Sequence, residues 1–412
     1  MFLNRRDDLY DLMEENSIAI FHSGKAPYKV GDEKYEFSVD RNFYALTGLD
    51  KENMILVMIK DGEHEDTMIF IEEYDEMLAK WVGGRMLPQQ VREISGIQKV
   101  MLIQNFDEEL LSSLSRLHFN QTQWDLYADF TLQEASQTRE GITLVKHVKE
   151  LFPFMNICNV APLMNELRLI KNEDEIEKLK QAIRITDLGI QEMMKHSKQA
   201  VSENEIEAYF DFILKKNQCE HSFPSIVAQG KNATILHYVD NNQPIAENSL
   251  VLCDLGASYQ YLNADITRTF PANGKFTPRQ KQIYDIVLRG NKYIIENCKP
   301  GETLFGLNRK LIQFYEEELN AIGLLENGKT VRDYYWHGVS HMLGLETHDV
   351  TLNHYVLEAG NVITVEPGLY LEDEGIGIRI EDDILITEDG CVNLSKDIIK
   401  EIDEVEAFMA KF

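Results

Sequence analysis

Positive charge is scarce in this chain: 41 Lys and Arg stand against 69 Asp and Glu in 412 residues, a formal net charge of −28. Phosphate neutralisation needs a Lys/Arg-rich surface, so a nucleic-acid partner is not expected, and an anionic membrane surface is disfavoured. Long apolar runs are also missing. The longest, such as Met54 to Ile59, are strand-sized, well short of the roughly 18 residues of a membrane-spanning helix. The first residues, Met1-Phe-Leu-Asn-Arg-Arg-Asp-Asp, put charges where a signal peptide needs its apolar stretch, so a cytoplasmic location is expected. The five cysteines (Cys158, Cys219, Cys253, Cys298, Cys391) are odd in number and scattered, with no Cys-x-x-Cys pair. Neither a disulfide framework nor a thiolate metal site is suggested, and any metal would take oxygen and nitrogen ligands.

What is present is core-forming material. Apolar residues make up 44% of the chain, which excludes a disordered protein, and the length favours two or three domains. The first 160 residues or so alternate strand-like runs (Ile18 to Phe21, Met54 to Ile59, Thr67 to Ile71, Lys99 to Ile103) with a helical stretch at Asp107 to Leu117, the pattern of an α/β domain. The pattern breaks around Pro153 and Pro162. A helix follows from a capping box at Asn172 and Glu175, with Ile176, Leu179, Ile183, Ile190 and Met194 at helical spacing. The boundary is expected near Asn165, giving domains 1–164 and 165–412.

Beyond it one order of elements occurs twice. Helices over about 172 to 217, with a second capping box at Ser202 and Glu205, lead to a strand pair at 249 to 270. Helices from Thr277 as N-cap, with Pro278 at the first helical position, run to about Asn297 and then from Leu307 to Ile322, leading to strands at 362 to 387. The expected class is α+β: an α/β domain followed by a domain of two related halves.

Acids end several of these strands. In Leu250-Val-Leu-Cys-Asp254 through Asp265-Ile-Thr-Arg-Thr-Phe270, a turn at Tyr259-Gln260 would set Asp254 opposite Asp265, Cβ atoms about 5 Å apart. Such a pair repels unless a proton or cations intervene. Two solvated acids are the plainer alternative, weakened by the apolar run before Asp254. Glu366 ends Val362-Ile-Thr-Val, and in Gly375-Ile-Gly-Ile-Arg379-Ile-Glu381 the period of two puts Gly377, Arg379 and Glu381 on one face, away from Ile376, Ile378 and Ile380. The glycines leave room for something to approach the backbone, although an exposed charged face would look the same. Three of 11 histidines, His337, His341 and His348, fall within twelve residues, and His237 lies in Leu236-His-Tyr238. The four-residue spacing of His337 and His341 lacks the following Glu and is interrupted by glycines, so a helix-borne metalloprotease pair is rejected. Asp254, Asp265, His341, Glu366 and Glu381 form an oxygen-rich, one-imidazole set suited to two divalent ions such as manganese, cobalt, iron or zinc.

These segments resemble the aminopeptidase P and prolidase group of metallopeptidase family M24, the pita-bread-fold peptidases. The resemblance rests on Leu236-His237-Tyr238, Asp254-Leu-Gly with Asp265-Ile-Thr-Arg-Thr-Phe, His337-Gly-Val-Ser-His341 with His348-Asp349, Thr364-Val-Glu366-Pro-Gly and Arg379-Ile-Glu381-Asp. It extends into the N-terminal domain through Asn42-Phe-Tyr-Ala-Leu-Thr-Gly48 and Trp81-Val-Gly-Gly-Arg85. It implies a creatinase/aminopeptidase P type N-terminal domain, which caps the cleft and mediates subunit contacts, and a pita-bread catalytic domain with two pseudo-symmetric halves. It also implies a pair of metal ions, manganese first among the candidates, held by the five residues, with Asp265 and Glu381 bridging and His341 and Glu366 completing one shell. A water between the metals would attack. Glu366 would carry its proton to the departing amine, His348 would donate to the oxyanion, and His237 would hold the substrate. His337 and Tyr370 would line a proline pocket, and Arg379 would orient the bridging acids.

The implied reaction is release of the first residue from small peptides with proline second, by a homodimer or homotetramer. Trp81 is either a core residue or one that reaches a neighbouring subunit's site. An Xaa-Pro dipeptidase shares all five ligands, and a non-catalytic peptide-binding module on the same fold is the alternative of another class. Creatine amidinohydrolase lacks the full ligand set, and methionine aminopeptidase is disfavoured by the extra domain and the histidine spacing. The chain departs from many bacterial members in reading Glu372-Asp-Glu-Gly375 where those carry an arginine.

Overall fold

Six strands form the first unit's sheet, the longest of them rich in apolar residues: β1 (Ser17–His22), β2 (Ile55–Asp61), β3 (His64–Ile71), β4 (Lys99–Leu102), β5 (Asp125–Ala128) and β6 (Asn156–Asn159). Their order is β4-β3-β2-β1-β5-β6, with β1-β2 and β2-β3 antiparallel and the remaining pairs parallel. The computed structural model describes residues 2–62, 64–115, 123–130 and 139–412. The chain divides into two units, Met1–Arg168 and Leu169–Phe412; Asn165 lies inside the helix Ala161–Leu169. The helix expected at Asp107 to Leu117 is Phe106–Ser115, and the last two positions of that expectation lie outside the described residues. Trp81, in the helix Glu76–Val82, is 82% exposed, which removes the core reading.

At the end of β1, His22 Nδ1 accepts the Gly24 N–H (2.8 Å), and burial pushes its pKa down to about 4. The folded state therefore takes up this proton later than the unfolded chain, so stability falls as pH drops from about 6.5 to about 4. The expected loss is up to about 3 kcal/mol. Urea unfolding at pH 7 and pH 4.5 checks it: the first unit of a His22→Asn variant is expected to lose measurably less stability across that interval, and equal losses would refute the assignment.

In the second unit, helices α1 (Glu173–His196), α2 (Glu203–Lys216), α3 (Pro278–Asn297) and α4 (Leu304–Ala321) pack on short sheets. One sheet is β7-β8-β9 (Ile226–Gln229, Leu250–Leu255, Ile266–Pro271). Past it, β10 (Val362–Val365) pairs with β13 (Asp382–Thr387), and β11 (Gly368–Leu371) pairs with β12 (Ile376–Arg379). The capping box expected at Asn172 and Glu175 forms (3.0 and 3.1 Å), and Thr277, expected as an N-cap, makes a box with Gln280 (3.3 and 2.8 Å). The second expected box does not form. Ser202 sits at the N-cap of α2 but its side chain makes no capping bond, while Glu205 accepts the Val201 N–H (2.9 Å).

The β8-β9 register also differs from the expected one. The turn lies at Gln260-Tyr261, both at positive φ (50° and 66°), and Asp254 pairs with Thr267 rather than Asp265. A slip of two residues preserves which face each side chain takes, so Asp254 and Asp265 still point the same way. Gly256, just after β8, admits the Ala264 carbonyl so closely that a Cβ there would stand 1.8 Å from its oxygen.

Candidate metal centre

Three segments place three of the candidate ligands. β8 delivers Asp254, the stretch before β9 delivers Asp265, and the connection from β12 to β13 delivers Glu381, whose N–H donates to the Thr267 carbonyl (3.1 Å). The histidine segment forms no helix. It runs beside β10, with Thr364 N–H donating to His341 O (3.0 Å) and Glu366 N–H to Val339 O (2.9 Å), which brings His341 next to Glu366. His341 Nε2 stands 3.3 Å from Asp265 Oδ2 and 3.7 Å from Glu366 Oε1. One ligand atom each of Asp265, His341 and Glu381 lie within 4.8 Å of one another.

The hydrogen bonds decide what this cluster needs. His341 Nδ1 lies 3.0 Å from the Met342 carbonyl, which can only accept, so Nδ1 carries a proton and Nε2 is the nitrogen turned to the two carboxylates. A proton or a cation must stand between Nε2 and those oxygens, and a ring donating its far N–H to a carbonyl is the usual orientation of a metal-ligating histidine. Asp254 Oδ1 is buried without a hydrogen-bond partner. Burial, then the charges of Asp254, Asp383 and Glu366, hold the Asp265 pKa well above the carboxylate range. Glu381 is raised by burial, then by Asp265, Glu366 and Asp254, and Glu366 is raised by burial to about 7. Three acids whose carboxyls are held above the usual range, beside Asp254 and one imidazole, fit divalent cations.

The surrounding residues orient the ligands. Arg379 Nη2 donates to Asp254 Oδ2 (2.6 Å) and Nε to Thr267 Oγ1 (3.0 Å), and Thr267 in turn donates to Glu381 Oε2 (2.6 Å). Thr267 was not singled out in the sequence, though a period of two from Asp265 reaches it. Asp383 Oδ2 accepts the Asp265 N–H (3.2 Å). Tyr370 is 1% exposed and stands behind the cavity wall rather than on it. Its hydroxyl accepts from Arg379 Nη1 (2.9 Å) and lies 2.8 Å from His337 Nε2. His337 Nδ1 donates to Gly338 O (2.7 Å), so Nε2 accepts from Tyr370; burial, then Arg379, push the His337 pKa down to about 3, and the ring stays neutral.

A cavity of about 560 Å³ opens over the cluster, lined by the apolar residues Phe223, Pro224, Ile226, Leu236 and Val239 and by His237, His337 and His348. The His348 ring lies edge-on to His341, centroids 4.5 Å apart, and burial, then His341, lower its pKa. The room opposite the isoleucines at Gly377 is filled by backbone: a Cβ there would meet the Ala233 carbonyl oxygen at 2.1 Å. In the departing loop, Glu374 pairs with Arg279 (2.6 Å).

The description of metallopeptidase family M24 matches residues 177–388, and that of the aminopeptidase P N-terminal domain matches residues 2–120. An Xaa-Pro aminopeptidase of Haemophilus influenzae is 34% identical, covering 99% of this chain and 96% of the relative. The chain belongs to metallopeptidase family M24. Among solved structures, this M24 chain is similar to a Bacillus anthracis chain provisionally named aminopeptidase P (44% identity, TM-score 0.94, 100% and 98% of the two chains covered). It is also similar to Escherichia coli aminopeptidase P with the inhibitor Pro-Leu (29% identity, TM-score 0.90, 100% and 98% covered). The two-domain aminopeptidase P architecture is the fold expected from the sequence, and the ligand-type residues lie within its M24 part.

Proposed function

We propose that this chain is an Xaa-Pro aminopeptidase that releases the first residue from peptides with proline second, using two divalent cations, preferably manganese. The observation that carries the reading is His341, its Nδ1 held by the Met342 carbonyl and its Nε2 turned to the Asp265 and Glu366 carboxylates, in an M24 chain whose full-length relatives include Xaa-Pro aminopeptidases. Asp254, Asp265, His341, Glu366 and Glu381 would hold the metals. Bound cations supply the Lewis acidity that brings a water's pKa toward neutrality and polarises the scissile carbonyl.

The chain does the rest. Glu366 passes the attacking water's proton to the departing nitrogen. His348 donates to the developing oxyanion, and His237 holds the substrate carbonyl. His337, both nitrogens engaged, offers a neutral ring edge to the proline. An amide to proline has no N–H and carries a restrained ring, which suits an apolar wall such as Phe223, Pro224, Ile226 and Leu236. Among the described residues Arg379 is the one Lys or Arg lining the cavity, and it is committed to Asp254. A dipeptide's carboxylate would find no spare cation there, which favours longer peptides over dipeptides. The reading includes a cytoplasmic location and assembly as a homodimer or homotetramer, with the exposed Trp81 reaching a neighbouring copy's site.

The test uses chelated protein reloaded singly with manganese, cobalt, zinc or iron and offered Xaa-Pro-Xaa, Xaa-Ala-Xaa and Xaa-Pro. Release of the first residue from the proline tripeptide is expected to be fastest, with manganese. Cleavage of the dipeptide alone would assign a dipeptidase, and no cleavage with any metal would leave a binding module. Glu366→Gln is expected to lower kcat by about 10²–10⁴-fold.

A further inference from the structure

Glu203 stands outside the metal cluster, fully buried, at the start of α2. Its Oε1 accepts the Gln229 N–H (2.9 Å) and Asn232 Nδ2 (3.0 Å). Its Oε2 accepts the Tyr238 hydroxyl (2.7 Å) and the Gln243 N–H (2.9 Å), and its own N–H donates to Gln243 O (3.0 Å). Both ends and the middle of the 229–243 stretch thus close on one carboxylate. Apart from a short 3-10 turn at Gly230–Thr234, the stretch between β7 and β8 forms no helix or extended strand of its own. A second anchor, Asn241, joins it to Ser225 O (2.8 Å) and the Val227 N–H (2.9 Å).

This same stretch supplies Leu236, His237 and Val239 to the cavity, while Tyr238 between them turns its hydroxyl to Glu203. Its other side is pressed on the strand that carries Arg379, at the Gly377–Ala233 approach. A buried carboxylate is costly unless every lone pair is met, and here four donors and the N-terminus of a 14-residue helix meet it. That investment fixes the loop at the spacing of those donors.

We infer that Glu203 is a positioning residue for substrate binding: through Gln229, Asn232, Tyr238 and Gln243 it sets where His237 stands against the peptide. The inference rests on the peptidase reading above. In a Glu203→Gln variant one amide N–H₂ must face two buried donors, one of them a main-chain N–H that cannot accept. Tyr238→Phe removes one of the four bonds and keeps the charge.

The experiment uses the manganese-loaded full chain, reading kcat and KM for an Xaa-Pro-Xaa tripeptide, the affinity for Pro-Leu by calorimetry, and metal content. Glu203→Gln is expected to raise KM and weaken Pro-Leu binding by about 10-fold, and Tyr238→Phe by about 3-fold, with kcat within about two-fold and metal content unchanged. In a His237→Ala background both substitutions are expected to lose most of their effect, because the residue they position is gone. Unchanged KM in both variants, effects that multiply fully with His237→Ala, or loss of metal would overturn the inference. If Glu203→Gln fails to fold, Tyr238→Phe and its double variant decide. A wild-type protein that cleaves no proline peptide would overturn both readings, whereas an active wild type with an indifferent Glu203→Gln would overturn this one alone.

Discussion

On the proposed reading Asp265→Asn removes a metal ligand, and it is expected to lower tripeptide hydrolysis by about 10³-fold or more, a loss of several kcal/mol of transition-state stabilisation. In metal-free protein the same change is expected to be stabilising, by about 0.5–2 kcal/mol. The sign follows from the site's electrostatics. Burial and the neighbouring acids Asp254, Asp383 and Glu366 hold the Asp265 pKa well above that of an unfolded chain. At neutral pH its ionisation in the fold therefore costs stability, and an amide of the same shape avoids that cost. Adding manganese is expected to reverse the order, since only the wild type gains fully from the cation. Thermal unfolding of both proteins, chelated and reloaded, reads the two effects together. An Asp265→Asn protein that retains wild-type metal affinity, or that is less stable than the chelated wild type, would count against the centre as described.

The largest effect on folding is expected from Arg268→Met. Arg268 is fully buried and its guanidinium donates to Asp382 Oδ1 (2.8 Å) and to the carbonyls of Thr267 (2.9 Å), Glu381 (2.5 Å), Ile398 (3.2 Å) and Ile399 (3.1 Å). Burial alone would raise the Asp382 carboxyl, but Arg268 and Lys400 outweigh it and bring the pKa down to about 2. Removing the guanidinium leaves a buried carboxylate with Lys400 and Ser395 and takes a donor from four carbonyls, of which Thr267 O keeps the Glu381 N–H. Breaking such a pair costs about 3–5 kcal/mol, a fall of roughly 10 °C in the melting midpoint of the C-terminal unit. Arg268→Lys is expected to recover only part, because an ammonium cannot reach five acceptors held in a planar fork. Circular dichroism against temperature checks both; an Arg268→Met protein that melts with the wild type would refute the account. Because Arg268 also holds the Glu381 carbonyl, its loss is expected to weaken metal retention in the molecules that remain folded.

The candidate ligands could be singled out in the sequence for a physical reason. Asp254 and Glu366 end apolar strands, Glu381 shares a face with Gly377 and Asp265 was set facing Asp254, and burial with repulsion makes such placements expensive without a cation. The parity of β8 and β9 was legible as well, and it survived the two-residue slip. The position of the turn was not. Gln260 and Tyr261 both adopt left-handed backbone, and neither residue type signals that conformation as Asn-Gly would. Ser202 was misread because Ser-x-x-Glu is only a local pattern; the tertiary partner of that helix start is Glu203, bonded to residues up to forty positions away. The bracing of Arg379 by Tyr370, of Asp382 by Arg268 and of the Asp265 N–H by Asp383 joins segments about 10 to 120 residues apart, and nothing local encodes it.

The close approach at Gly377 bears on how such a site diversifies. With the Ala233 carbonyl already against the strand backbone, that wall of the cavity has no slack in either direction: a side chain at Gly377 would shove it outward, and a backward shift would strip the carboxylate that moors the loop. New preferences for the first residue of a peptide must therefore arise by exchanging the groups mounted on a fixed frame, Leu236 and Val239 foremost, and not by lengthening or bending the frame itself.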